Sequence, residues 1–337
     1  MSNHSHGPRN SISDIAGIEV GNAQHAGLRS GVTAVLCPPG TVASVAVLGG
    51  APGTRETDLL DPANSVETVD AVLLSGGSAF GLDAASGAQA WLREQGRGLQ
   101  VAGMCIPIVP AAILFDLANG GDKDWGRFPP YRELGYAAAA NAGSDFAIGT
   151  AGAGYGALTS TTKGGLGTAS ARLSNGSTVA ALVAANPVGT VTIPGTRHFW
   201  AAPFEIGEEF GGIGLPDPMP ASARLLATKL REAQSFGANT TIGIIATDAA
   251  LTKAEARRLA IAAHDGYSRA IWPSHTPLDG DLIFSLSTRA GPAPDTPLAM
   301  MELCAVAAMT MARAVARGIY HAAAMEGDLL PAWSQLA

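Results

Sequence analysis

The sequence predicts an α+β protein with β-sheets inside and helices outside, and three observations carry that expectation. Runs rich in Val, Ile and Ala flank strong turn signals at two places, which reads as paired β-strands. Long helical segments are apolar over at least one face, and such faces must be covered by a sheet or by another helix. A chain of 337 residues with 42 glycines and only 6% aromatic residues is also built to pack backbones closely.

In chain order, residues 32–37 (VTAVLC) and 42–48 (VASVAVL) surround Pro38-Pro39-Gly40 and predict a hairpin. Residues 69–74 (VDAVLL) read as a buried strand, followed by the glycine-rich SGGSAFG at 75–81. An Ala-rich helix then runs to Arg93, with Gly96 and Gly98 as stops. Residues 167–173 and 177–184 straddle Asn175-Gly176, a dipeptide suited to the positive φ of a tight hairpin. Residues 187–220 read as a long irregular excursion, followed by a helix over 221–234. Residues 235–247, SFGANTTIGIIAT, pass from a polar turn to a strand at Asn239. Thr252 and Glu255 form a capping-box pattern that starts a helix reaching about residue 270. A strand at 282–288 and a long apolar helix over 297–321 complete the order. No repeat or composition break marks a second domain, and the first ten residues are expected to be disordered.

A net charge of −7 and no basic stripe argue against nucleic acid as a partner. Cys37, Cys105 and Cys304 are odd in number, far apart and set in apolar sequence, as expected of reduced thiols. The N-terminus lacks the apolar core of a signal peptide and no segment reads as an uninterrupted membrane span. A cytoplasmic location is the expectation.

Asn239-Thr240 carries a specific chemical possibility. A hydroxyl is a poor nucleophile near neutral pH and needs a base. If Thr240 becomes the first residue of a chain, its own α-amine, with a reference pKa of about 7.7–8.0, can take the hydroxyl proton. Attack of the Thr240 hydroxyl on the Asn239 carbonyl, followed by hydrolysis of the ester, creates such a terminus. The bland alternative is ordinary strand composition, which Thr-Thr-Ile fits. Asn239-Thr240-Thr241 is also a glycosylation sequon, a reading that needs a secretory context.

Four stretches together favour the chemical reading: NTTI at 239–242, NPVG at 186–189, DGD at 279–281 and LSGGSAFGL at 74–82. In order and spacing, from IAGIEVG at 15–21 to the last helix, the chain resembles one family. It is the self-processing aminopeptidase and amidase family that includes the L-aminopeptidase/D-amidase DmpA, the β-peptidyl aminopeptidases and the nylon-oligomer endohydrolases. The nylon-oligomer branch is similar in having Asn-Thr at the cut and Asp-Gly-Asp downstream. The resemblance implies an N-terminal-nucleophile hydrolase with a four-layer αββα sandwich, cut into residues 1–239 and 240–337.

The same resemblance implies Thr240 as nucleophile, Lys163 and Asn186 as site residues, and Asp279 with Asp281 as an acidic pair. Asn186 can donate its amide N–H to an oxyanion, worth ~3 kcal/mol; as an Asn before Pro it could equally cap a turn. Lys163 could position the nucleophile or be an exposed loop lysine. Two residues apart in extended chain, Asp279 and Asp281 share a face and could orient Thr240, or form a turn or weak cation site. SGGSAFG matches neither the nucleophile elbow nor the phosphate loop and reads as close backbone packing, with Phe80 lining the pocket. Asp116 is a candidate contact for a substrate amine.

The expected activity is hydrolysis of small peptides, amides or linear aliphatic polyamide oligomers through an acyl-enzyme on Thr240, with no metal and no organic cofactor. Aminopeptidase action on D- or β-residue peptides, acyl transfer, and non-catalytic binding by an oligomer are the rival readings. Membrane partners are not expected; a homo-oligomer, tetramer or larger, is.

Overall fold

In the computed structural model, residues 4–229 and 239–336 are described. One sheet holds β1 (Glu19–His25), β2 (Ser30–Leu36), β4 (Thr54–Arg55), β5 (Ala71–Ser75) and β8 (Ala111–Ile113), in spatial order β1-β2-β5-β8-β4. The other holds β3 (Val42–Val47), β9 (Gly165–Arg172), β10 (Thr178–Ala185), β11 (Ile242–Thr247) and β12 (Leu282–Ser287), in order β3-β12-β11-β10-β9. Helices α1 (Ala84–Glu94) and α2 (Tyr131–Ala140) cover the first sheet, and α3 (Lys253–Ala270) and α4 (Pro297–Tyr320) the second. A small hairpin of β6 (Leu99–Val101) and β7 (Met104–Ile106) stands apart.

Strand alternation divides the apolar side chains into three layers. On β5, Val72 and Leu74 enter the layer between the sheets, while Ala71 and Leu73 face α1 and α2. On β10, Ala180, Leu182 and Ala184 join that middle layer, and Val179, Ala181 and Val183 face α3 and α4. Strands apolar on both faces are what a four-layer αββα sandwich requires.

Helix α3 starts where the sequence places it. The Thr252 hydroxyl accepts from Glu255 N–H, and the Glu255 carboxylate accepts from Thr252 N–H. Helix α4 is long and apolar enough to cross a membrane by composition, but its Leu303, Val306, Ala307 and Met311 are core residues against the second sheet. The approach is close: a Cβ at Gly167 would meet the Ala314 carbonyl at 1.9 Å.

The β9–β10 pair is antiparallel as expected, with Gly176 at φ +87° in its turn. Three other expectations are corrected. Residues 32–37 and 42–48 do not form a hairpin. β2 pairs with β1 and β5 in the first sheet, and β3 pairs with β12 in the second. The Pro38-Pro39-Gly40 turn carries the chain from one sheet to the other, and strands apolar on both faces give no local sign of which sheet they join.

The expected disorder of the first ten residues does not extend over residues 4–10. Gly7 N–H donates to Ser170 Oγ at 3.0 Å, and Asn10 is buried with its Oδ1 accepting from Arg313 at 2.9 Å. Over 221–228 the expected helix is replaced by a single 3₁₀ turn, Ala221–Arg224, after which Leu225 is extended, while Lys229 is helical. The part of that expectation at 230–234 lies outside the described residues.

Candidate active site

The site grows out of the parallel pairing of β11 with β12. Their register sets Ile242 opposite Leu282, and an isolated parallel bridge continues it to Asn239 opposite Asp279. Asp-Gly-Asp therefore runs alongside Asn239-Thr240-Thr241, with Gly280 beside Thr240. Glycine is needed there for its lack of a side chain: a Cβ on Gly280 would lie 2.8 Å from Thr240 Oγ1 and 2.7 Å from the Ala51 carbonyl.

Hydrogen bonds fix both sides of the Asn239–Thr240 peptide. Gly280 N–H donates to the Asn239 carbonyl at 2.9 Å, and Thr240 N–H donates to the Asn186 carbonyl at 3.1 Å. Thr240 is only 2% exposed. Thr241 is fully buried and its N–H donates to Asp281 Oδ1 at 2.8 Å, which makes it the anchor of β11.

The two carboxylates are built into this frame. Asp279 Oδ1 accepts from Val188 N–H at 3.1 Å, and Oδ2 accepts from Thr276 N–H at 3.1 Å and its hydroxyl at 2.7 Å. Asp281 Oδ2 accepts from His275 N–H at 3.0 Å and lies 2.9 Å from His275 Nδ1. All four carboxylate oxygens thus meet protein partners, an arrangement that holds backbone rather than cages a cation. Burial, and next the neighbouring charge of Asp281, push Asp279 up to about 6, against the hydrogen bonds from Thr276 and Val188.

Asn186 follows β10 and is buried. Its Nδ2 donates to the Phe115 carbonyl at 2.9 Å, and its Oδ1 accepts from Leu158 N–H at 2.9 Å. Lys163 is also buried, but its Nζ is 2.7 Å from Asp328 Oδ2, a carboxylate that Arg29 approaches at 3.2 Å. Among the described residues, its hydrogen bonds go to Asp328 and the Pro331 carbonyl rather than to Thr240. Its link to the site is through backbone: Lys163 bridges to Leu158, the residue that holds Asn186 Oδ1.

The glycine-rich 75–81 stretch packs as closely as expected. A Cβ at Gly76 would meet Asp116 Oδ2 at 2.2 Å, and one at Gly77 would enter the Tyr131 ring. Phe80 is half-exposed and stands edge-on to Trp125, with ring centroids 5.2 Å apart. Asp116 is buried beside Phe115, its Oδ1 accepting from Gly77 N–H at 2.7 Å. Its Oδ2 meets no donor in hydrogen-bonding geometry among the described residues, although the Ser30 hydroxyl is close by. Burial pushes Asp116 up to about 6, opposed by Ser30 and Gly77.

One residue at the site escapes the sequence reading. Lys229 Nζ donates to Asn186 Oδ1 at 3.2 Å and to the Asn186 carbonyl at 3.3 Å. Enclosure of this amine pushes it down to about 7, and Asp279 opposes the shift. The one available signal was that Lys229 is the only lysine between Asn186 and Thr240.

Comparison with known proteins identifies the family of the chain. The profile of Peptidase family S58 matches residues 10–329. An uncharacterized aminopeptidase of Mycobacterium tuberculosis is 48% identical over 337 residues, covering 94% of this chain and 96% of the relative. A 6-aminohexanoate-oligomer endohydrolase of a Kocuria strain is 28% identical over 303 residues, covering 84% and 76%. Among solved structures, a β-aminopeptidase of a Burkholderia species superposes with TM-score 0.69 at 21% identity, covering 100% of this chain and 94% of its own. The L-aminopeptidase D-Ala-esterase/amidase of Ochrobactrum anthropi, described as a variant of the Ntn-hydrolase fold, does so with TM-score 0.69 at 22% identity, covering 100% and 98%.

Proposed function

The chain belongs to peptidase family S58, and from that premise we propose that it is a self-processing peptide and amide hydrolase with Thr240 as its N-terminal nucleophile. The supporting observation is the seating of the Asn239–Thr240 peptide. Its carbonyl oxygen already accepts a backbone N–H from Gly280 at 2.9 Å, and its threonine side chain lies against the same glycine. A donor in that position favours the negative charge that forms on the oxygen when the hydroxyl attacks.

Cleavage yields pieces of 239 and 98 residues within one αββα domain. The freed Thr240 α-amine, beside the Asn186 carbonyl and the acidic pair, then serves as base for its own hydroxyl. The hydroxyl attacks a substrate carbonyl, the amine product departs, and water releases the acyl group. Asn186 offers the oxyanion its Nδ2 hydrogen that Phe115 does not hold, while Asp279 and Asp281 fix the strand that carries Thr240. Lys163 holds the loop behind Asn186.

Within this reading, aminopeptidase action on short peptides is favoured over endo-cleavage of polyamide oligomers by Asp116 Oδ2, which among the described residues meets no donor in hydrogen-bonding geometry beyond the nearby Ser30 hydroxyl and is an acceptor suited to a substrate ammonium. The half-exposed Phe80 borders the same region. The homo-oligomer and the cytoplasmic location stay part of the proposal; exposed Leu298 and Met301 at the start of α4 give the former an apolar contact.

Intact-mass analysis with a denaturing gel tests the central claim. Two fragments, the smaller beginning at Thr240, are expected from the wild type, together with hydrolysis of amino-acid p-nitroanilides. Thr240→Ala is expected to stay whole and lose both. A wild-type chain that remains uncut and inactive would sink the proposal.

A further inference from the structure

Self-cleavage faces a difficulty that later turnover does not. Before the cut, the Thr240 nitrogen belongs to an amide and cannot act as the base for its own hydroxyl. The hydroxyl still needs a base, and the departing nitrogen needs a proton.

Lys229 and that nitrogen meet at one acceptor. Its backbone N–H donates to the Val188 carbonyl at 3.2 Å. Its Nζ donates to the Asn186 carbonyl at 3.3 Å, the same oxygen that accepts Thr240 N–H at 3.1 Å. The lysine amine and the nitrogen to be released therefore share one acceptor. The second donation, to Asn186 Oδ1 at 3.2 Å, fixes the amine from another side. Among the described residues the charge that reaches it is Asp279, from the loop before β12. The segment after β10 presents it with neutral groups, Asn186 and Val188. With two N–H bonds engaged on Asn186, the neutral amine keeps one lone pair free.

We propose that Lys229 is the proton carrier of self-cleavage. Its neutral amine takes the Thr240 hydroxyl proton as Oγ1 bonds to the Asn239 carbonyl carbon, and the negative charge goes to the carbonyl oxygen at Gly280 N–H. As the oxyanion collapses and the C–N bond breaks, the Lys229 ammonium gives that proton to the Thr240 nitrogen. The products are an ester between Asn239 and Thr240 Oγ1, a free α-amine on Thr240 and a regenerated neutral lysine. Water then splits the ester into the Asn239 carboxylic acid and the Thr240 hydroxyl. An amine that titrates near 7 is suited to both halves of this transfer. The inference rests on the self-processing reading and adds the group that performs its proton transfer.

The test follows the appearance of the two fragments with time during cell-free synthesis, between pH 6 and pH 9, for wild type, Lys229→Arg and Lys229→Met. Arginine retains the charge and the donors but stays protonated, and methionine keeps the stem without the amine. Both are expected to slow cleavage by ~100-fold or more. The wild-type rate is expected to climb with pH and reach half its maximum near 7, a step missing from the Lys229→Arg profile. Three results overturn the proposal while leaving self-processing intact. One is cleavage of either variant within ~3-fold of wild type, too small for a lost proton carrier; another is a wild-type rate flat across the range; the third is a pH step that persists in Lys229→Arg. A wild-type chain that stays whole at every pH removes the self-processing reading itself, and this inference with it.

Discussion

Two lysines lie near Asn186, and their surroundings differ in one respect. Lys163 sits against a carboxylate, with Nζ 2.7 Å from Asp328, while among the described residues the Lys229 amine bonds to the neutral oxygens of Asn186 and feels Asp279 at longer range. A buried ammonium in contact with a carboxylate is held charged, and losing one partner leaves the other uncompensated. An enclosed amine without that contact gives up its proton readily. The same residue type thus serves as a structural tie in one place and is suited to move protons in the other.

That contrast is sharpest if the hydroxyl, rather than the fold, is what Lys229 serves. Gly280→Ala places a methyl group 2.8 Å from Thr240 Oγ1 and 2.7 Å from the Ala51 carbonyl. It is expected to abolish fragment formation on the gel, a larger effect than the slowing expected on loss of Lys229, because the hydroxyl is displaced from the carbonyl it attacks. Normal cutting by Gly280→Ala would detach Thr240 from this geometry.

Lys163→Met should behave in the opposite way. In a Thr240→Ala background, where every chain stays whole, urea unfolding is expected to show a loss of about 3 to 4 kcal/mol, because Asp328 loses its buried ammonium partner and keeps Arg29 and the Met325 N–H. In the wild-type background the same change should leave a chain that still cuts itself. The reverse pattern, stability unchanged and cutting lost, would exchange the roles of the two lysines.

Asp116 offers a smaller test with a buried charge of the other sign. Its pKa is raised in the folded state from 3.8 to about 6, so the folded protein holds this proton more tightly than the unfolded chain. The stability it contributes is fully present below pH 3.8 and lost as pH rises through about 6. Asp116→Asn should therefore be more stable than wild type at pH 8 by about 3 kcal/mol, with the difference vanishing near pH 4. If Asp116 binds the substrate amine, KM for amino-acid p-nitroanilides rises in the same variant.

Much of this molecule is legible residue by residue, for identifiable reasons. The capping box at Thr252 and Glu255, the turn at Asn175-Gly176 and the polar-to-apolar switch at Asn239 act over a few positions and appear as written. Helix α2, which follows Pro129-Pro130, and the β6–β7 hairpin, which turns at Ala102-Gly103, are not in the sequence reading although each has a local turn signal. Residues 32–37 and 42–48 read as strands, and both are; their partners were misjudged because local pattern carries no address for a distant sheet. Thr240, Asn186, Asp279 and Asp281 stand out by motif and are brought into one place. Lys163 and Lys229 show how far motif reaches, since a lysine between two glycine-rich or apolar stretches looks alike in either role.

By itself, the sequence indicated inner sheets with outer helices and, through a spaced set of motifs, the family and the candidate Asn239–Thr240 junction, because periodicity, caps and motifs are properties of neighbouring residues. The tertiary structure decided the parallel register that sets Gly280 beside Thr240, the carboxylate placed against Lys163, and the burial of Asp116. Those outcomes depend on the distance, enclosure and charge of groups separated by tens to hundreds of residues, and only folding brings such groups together.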